Sequence, residues 1–243
     1  SQVEGEIPDE TVQQLEAAVT AAMGTTGSPG AIVGVWAPWS GKWVSTVGSA
    51  SFAGGELDTS MTFRAADVTR AMTCDVLYEV AAEGTVTLDD SLTKWVPGFP
   101  GLSDVTLHQL CDSTAGIGSY TPQLQSQWFG NPDRVWNAIE LASYGVGQGL
   151  AATPGAGYRD SDAGYVLLGE ALERAKGESM PNLIAQYVAE PLELSATSLP
   201  GPAPANPGAD GAYLPGYWSV ADGEGVWNCA DPAPHSEMSS SLG

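Results

Sequence analysis

The sequence predicts an α+β fold in which a short antiparallel sheet is joined to a large helical block, with the sheet incomplete within the chain. Three observations carry this reading. Two runs with strand character, "AIVGVWA" at residues 31–37 and "WVSTVGSA" at 43–50, flank the turn-forming "PWSGK" and make a hairpin. A long series of helical segments follows, with no strand pattern among them. From residue 200 to 216 the chain is rich in Pro, Gly and Ala and offers no convincing strands. A two-stranded hairpin is marginal alone.

The elements are justified in chain order. Residues 9–23 read as a helix, because Val12, Leu15, Val19 and Met23 recur at spacings of three and four, and Gly24 is its expected stop. After the hairpin, residues 51–63 lead away as a loop or short strands. Residues 68–80 carry Ala71, Met72, Val76, Leu77 and Val80, apolar on most faces; such a helix is expected to be central and buried, and Gly84 ends it. "TLDDSLTKWVPGFP" gives a short helix and a proline-marked stop, and "TLHQLCDSTAGIGSY" another helix breaking at Gly116. Residues 133–144, 162–176 and 181–190 complete the helical block, the second of these ending at Gly177. There are no internal repeats.

Composition excludes several classes of function. The 243 residues include 29 acidic and 8 basic side chains, a formal net charge of −21. A phosphate backbone would be repelled, so no nucleic-acid partner is expected. Hydrophobic residues make up 43% of the chain, enough for a packed core. No apolar run approaches the roughly 18–20 residues of a membrane span. No signal peptide is recognisable and the first residue is Ser1, as in a processed product. Three cysteines with no C-x-x-C, and only His108 and His235, supply no zinc set, so neither a metal nor a cofactor is expected.

Five collinear blocks carry a resemblance. "FRAADVTR" (63–70) stands where a known pattern reads F-R-x-x-S-x-T-K. "EVAAEGTVTLDDSLTKWVP" matches E-x-G-x-L-x-L-D-D-P-x-x-x-Y-L-P, and "VTLHQLCDSTAGI" matches I-T-x-x-x-L-L-x-H-T-S-G-L. "PGAGYRDSDAGYVLLGEALERAKGES" matches P-G-x-x-F-x-Y-S-N-x-x-Y-x-L-L-G, and "YVAEPLELSATS" matches P-L-G-L-x-x-T-x. Together they resemble the β-lactamase-related serine hydrolases, the group of class C β-lactamases, D-Ala-D-Ala carboxypeptidases and esterases. The resemblance implies an antiparallel sheet with a large helical subdomain. It makes residues 1–243 one such domain, C-terminally incomplete: a helix and first strands over 1–62, the helical subdomain over 63–200, and a loop-rich tail over 201–243.

In that family the serine attacks a carbonyl and the lysine one turn later helps remove its proton, while a tyrosine carries protons and an asparagine holds the substrate amide. Residue by residue, these positions are Asp67, Arg70, Asp160 and Asp162 here. Arginine, with a pKa above about 12, is no base near neutrality. One cation among three carboxylates leaves an excess of two negative charges if all are ionised, which repels substrates ending in a carboxylate. No catalytic residue is therefore carried over. Asp67 is expected to cap its helix, and Arg70 to bridge it to Asp160 or Asp162. The resulting reading is a catalytically inactive module with a structural or binding role. Its rivals are an active peptidase or esterase of D-amino-acid peptides with replaced catalytic residues, and a pocket for a cation or basic ligand.

The resemblance sets further expectations. The family's K/H-T-G strand has no counterpart, so a C-terminal sister fragment or another subunit is expected to complete the sheet, whose open edge would otherwise be sticky. Cys74 lies along the helix from Asp67, and Cys111 in the helix that the family packs nearby; a disulfide or two buried thiols satisfies both. Trp36, Trp43, Trp95 and Trp136 fall within elements and read as packing residues, whereas Trp218 and Trp227 in the tail are the binding-surface candidates. Domains resembling this one occur in tail proteins of phages of actinobacteria. A cell-wall-facing, extracellular or virion-associated location, with cell-wall peptide or glycan as partner, follows from that resemblance.

Overall fold

The computed structural model describes residues 3–131, 134–200 and 213–217. The chain divides into two compact units, Ala65–Pro204, and Ser1–Arg64 together with the described residues 213–217.

In the second of these, helix α1 (Asp9–Thr26) packs on a hairpin of β1 (Gly30–Ala37) and β2 (Gly41–Gly48). Val12, Leu15, Val19 and Met23 are its half-buried positions and form the stripe that meets the sheet. The helix runs past Gly24, where the sequence predicted its end, and stops at Gly27, which is left-handed with φ 70° and returns its N–H to Met23 O. Gly24 has no local reason to break the ladder, and the hydroxyls of Thr20, Thr25 and Thr26 bond back to carbonyls four residues earlier.

The strands pair antiparallel from Gly30↔Gly48 to Ala37↔Gly41. The N-terminal stretch lies against β2: Lys42 N–H donates to Gly5 O at 3.0 Å and Ile7 N–H to Lys42 O at 3.2 Å. Gly41 permits that approach, with φ 120° and a position where a Cβ would stand 2.7 Å from the Glu6 carbonyl carbon. Trp43 turns inward and is buried. Trp36, read from sequence as a packing residue, is 59% exposed. It sits on the outward face of β1, where the space above Gly34 is filled by its ring. The far end of this unit holds a bridge between Thr62 and Tyr213, with Leu214 N–H donating to Thr62 O at 2.8 Å. Tyr213 makes this isolated bridge within the stretch 200–216, which the sequence reads as offering no convincing strands; residues 201–212 lie outside the described residues.

The helical unit contains α2 (Val68–Ala82), α3 (Leu92–Trp95), α4 (Leu107–Cys111), α5 (Thr121–Gly130), α6 (Ala138–Val146), α7 (Asp162–Lys176) and α8 (Met180–Ile184), the last continuing as a π-helical turn over Ala185–Ala189. Its centre is α7, which buries Ala163, Gly164, Leu167, Leu168, Gly169, Ala171 and Leu172. Helices α2, α3, α4, α6 and α8 all pack on it. The sequence had given the central place to α2. That helix buries one face, Thr73, Val76, Leu77 and Val80, while Val68 and Tyr78 are exposed.

Two further corrections concern extent. Helix α4 ends at Cys111, short of Gly116, because Ser113 adopts φ 59° and the Thr114 and Ala115 N–H groups both return to Gln109 O. The helix expected over 133–144 begins only at Ala138, where the Asn137 side chain accepts from the Ile139 and Glu140 N–H groups. Helix α5 was absent from the sequence reading.

Candidate active-site remnant

Position 67 sits on a tight turn that leads into α2. Ala66 has φ 46°, a left-handed conformation that costs an L-residue about 1–2 kcal/mol. The N–H groups of Val68, Thr69 and Arg70 return to the carbonyls three residues back, so the entry is wound as consecutive tight turns. Asp67 occupies the N-cap position but does not cap: its backbone is helical (φ −63°, ψ −13°), and its side chain accepts no bond from the helix N–H groups. An N-cap side chain reaches those donors from extended backbone. The Asp67 carboxylate turns instead to Arg70 Nη2 at 3.1 Å and remains 78% exposed.

Arg70 is the hub. The sequence allowed its guanidinium a bridge to Asp160 or to Asp162; the planar fork takes both, Nη1 on Asp160 Oδ1 and Nη2 on Asp162 Oδ1, each at 2.5 Å. Its side chain is 19% exposed, Asp162 25% and Asp160 55%. Burial opposes the arginine charge, but the hydrogen bonds and charges of Asp160 and Asp162 outweigh it and hold Arg70 above its ordinary pKa. The guanidinium also stands 5.2 Å from the centre of the Tyr165 ring.

Asp162 is the better-supported carboxylate. It begins α7, next to Ser161, whose buried hydroxyl caps the helix by accepting from Gly164 N–H at 3.1 Å and donates to Gly118 O at 3.1 Å. The positive end of the helix dipole favours its charge. Its second oxygen accepts from Thr121 Oγ1 at 2.7 Å and Ser119 Oγ at 3.1 Å. Asp160 accepts from the Tyr158 hydroxyl at 3.3 Å. Around them, burial first and the Asp162 charge second push the Tyr120 phenol well above the usual tyrosine range. The Asp160 charge is the largest of the influences that raise exposed Tyr158.

The four positions singled out in the sequence therefore meet at one place, joined by the Arg70 fork. Ser119, Thr121, Tyr120, Tyr158 and Tyr165 were missed. Tyr165 was within reach, since it lies three residues after Asp162 on a predicted helix and so on the same face. Ser119 and Thr121 sit at a loop-to-helix join without periodicity, and no spacing marks them. Cys74 and Cys111 form a disulfide that ties α2 to the end of α4. Trp218, Trp227, Cys229 and His235 lie outside the described residues. Chemically, the cluster offers a resident cation, three carboxylates paired with it, one of them at position 67, and two hydroxyls already donating to Asp162.

The family model described as Beta-lactamase matches residues 15–243. The chain belongs to the β-lactamase family. Among solved structures it is similar to a D-stereospecific amidohydrolase from Streptomyces sp., 27% identical with a TM-score of 0.72, covering 96% of this chain and 68% of that one. An octameric penicillin-binding protein homologue from Pyrococcus abyssi, 22% identical with a TM-score of 0.71 over 95% of this chain and 52% of that one, shares the fold. Esterase EstB of Burkholderia gladioli is 30% identical over 156 residues, 58% of this chain and 39% of the esterase. Penicillin-binding protein 4* of Bacillus subtilis (strain 168) is 26% identical over 143 residues, 58% of this chain and 31% of that protein. The chain spans about a third of the length of the curated relatives it matches. The α+β architecture, helices with an antiparallel hairpin, is that of the β-lactamase and penicillin-binding-protein fold.

Proposed function

We propose that this chain is a catalytically silent member of the β-lactamase family whose former reaction centre serves as a structural ion-pair hub in a binding module. One observation carries the proposal: the side chain at the family's lysine position is an arginine held by Asp160 and Asp162, with a carboxylate in place of the serine. A charged guanidinium takes no proton, and a carboxylate already paired with it is a poor nucleophile without an activating group.

The disulfide supports a location outside the reducing cytosol, since such bonds persist in oxidising surroundings. A cell-wall-facing or virion-borne role, as in a phage tail, fits that chemistry and the acidic composition. The proposal includes a further polypeptide, a sister fragment or another subunit, pairing with the sheet. Among the described residues β1 pairs with β2 alone, and two strands are marginal. Native and denaturing mass spectrometry of the protein from its source should show a second polypeptide released on denaturation; equal native and denatured masses contradict this part.

The reading that retains activity has one observation in its favour, the Ser119 and Thr121 hydroxyls that donate to Asp162. Turnover assays separate the two. A chromogenic cephalosporin, a D-amino-acid amide and a short-chain ester should all be hydrolysed at the buffer rate. Turnover above buffer that is lost in Ser119→Ala or Thr121→Val would establish the active reading.

A further inference from the structure

Five side chains on three helices close a ring behind the carboxylate cluster. Arg70 and Cys74 are four residues apart on α2 and share a face. Cys74 is bonded to Cys111 at the end of α4. The Cys111 carbonyl accepts the Tyr165 hydroxyl at 2.7 Å, and the same hydroxyl lies 3.1 Å from the buried Ser113 Oγ. The Tyr165 ring faces the Arg70 guanidinium. Tyr165 and Asp162 are three residues apart on α7, and Asp162 closes the ring on Arg70.

We propose that the Cys74–Cys111 disulfide is the redox-sensitive lock of this ring, so that its reduction loosens the Arg70 clamp without unfolding the helical unit. The inference concerns the position of Arg70 and stands whether or not the site turns over a substrate. Reduction by a dithiol breaks the Sγ–Sγ bond. The protein gains two electrons and two protons, leaving thiols on Cys74 and Cys111, and the dithiol leaves as its cyclic disulfide.

Two links join α2 to its neighbours at this level, one covalent and one ionic. The covalent link acts one turn into α2 and fixes the Cys111 carbonyl to which Tyr165 is anchored. Once it is cut, the strained turn at Ser113 is free to relax, and the carbonyl moves with it. Tyr165 then loses its anchor, and Arg70 loses the ring that backs it. Only the ion pairs remain, and two of their three carboxylates are more than half exposed, where screening weakens them. Loosening would uncover Asp67, Asp160 and Asp162 as an uncompensated acidic cluster. Tyr165 acts here as a positioning residue.

The test is exchange of the Arg70 guanidinium Nη–H protons, the donors to Asp160 and Asp162, with solvent, read by NMR, alongside amide protection in α7 as a measure of global folding. Samples are the oxidised chain, the chain reduced with dithiothreitol, the Cys74→Ala/Cys111→Ala variant and oxidised Tyr165→Phe. Reduction and the double variant should each speed Arg70 exchange by about fivefold or more, the factor of one lost hydrogen bond, with α7 protection retained. Tyr165→Phe should speed it in the same direction with the disulfide intact. Unchanged Arg70 exchange in a reduced chain that keeps α7 protection would overturn the proposal. Loss of α7 protection on reduction would overturn it as well, since the lock is proposed to open with the helical unit still folded, and so would an unchanged Arg70 exchange rate in oxidised Tyr165→Phe.

Discussion

Replacing Arg70 with methionine separates a structural hub from a disused pocket, and the structure fixes the size of the effect. The substitution keeps an unbranched apolar stem and removes the fork, leaving three carboxylates without their cation. Their exposures rank the losses. Asp67, at 78% exposed, and Asp160, at 55%, are surface pairs worth about 0–1 kcal/mol each. Asp162, at 25%, loses a charge-assisted bond worth about 1.5–3 kcal/mol, and keeps the Ser119 and Thr121 hydroxyls as partial compensation. The contact with Tyr165 adds about 0.5–1 kcal/mol. The sum is about 2–6 kcal/mol, a fall in Tm of roughly 4–24 °C for a chain of this size. Urea unfolding should show a lower midpoint with an unchanged slope. The single carboxylates should follow in order: Asp162→Asn costs most, Asp160→Asn less, and Asp67→Asn least. A variant as stable as the parent, or an order with Asp67 first, would refute the hub and favour a pocket kept for a ligand.

Three other outcomes follow from separate parts of the helical unit. Reducing Cys74–Cys111, a crosslink between residues 37 apart, should cost about 4 kcal/mol of unfolding free energy by the chain-entropy account; a loss under about 1 kcal/mol would show that the link constrains little. Asp90 is pushed up by burial, but the bonds from Lys94, Thr87 and Trp95 prevail and bring it down to about 2. A folded value below the unfolded one gives stability that is complete above about pH 4 and lost as pH falls through about 2. Asp90→Asn should flatten that acid limb, and parallel pH profiles for the two proteins would rule the assignment out. Ala66→Gly should relieve the left-handed backbone at the entry to α2 and raise stability by up to about 1 kcal/mol, the strain relieved less the added freedom of the unfolded glycine; a lowered Tm would mean the turn carries no such strain.

The legible parts of the fold were those whose signal is local. Helix α7 runs from Asp162 to Lys176 as read, because Ser161 caps it, Gly177 ends it and its apolar residues keep one stripe. The four half-buried positions of α1 were visible as spacing, but its end was not, since a glycine terminates a helix only when the chain beyond it turns away. Helix α5, "TPQLQSQWFG", left no mark because, among its described side chains, Leu124 alone is fully buried and apolar, and one anchor makes no period. The central place of α7 over α2 was a matter of tertiary packing: both are apolar, and only the number of neighbours distinguishes them. At the site, motif order singled out four residues from distant blocks. It placed Arg70 against Asp67, but it could not say that Asp67 would leave the helix N–H groups uncapped, because that depends on the wound turn begun by Ala66. Nor could it say that one arginine would hold two carboxylates from the start of α7, which depends on where α7 lies against α2.

The central claim is that no residue of this cluster forms an acyl intermediate. Intact-mass spectrometry after prolonged incubation with a fluorescent penicillin, under denaturing conditions that keep covalent adducts, addresses it most directly. The account predicts the unmodified mass at every time point, for the parent and equally for Asp67→Ser, since Arg70 still occupies the position of the base. A penicilloyl adduct that survives denaturation and maps to Asp67, Ser119 or Thr121 would contradict it.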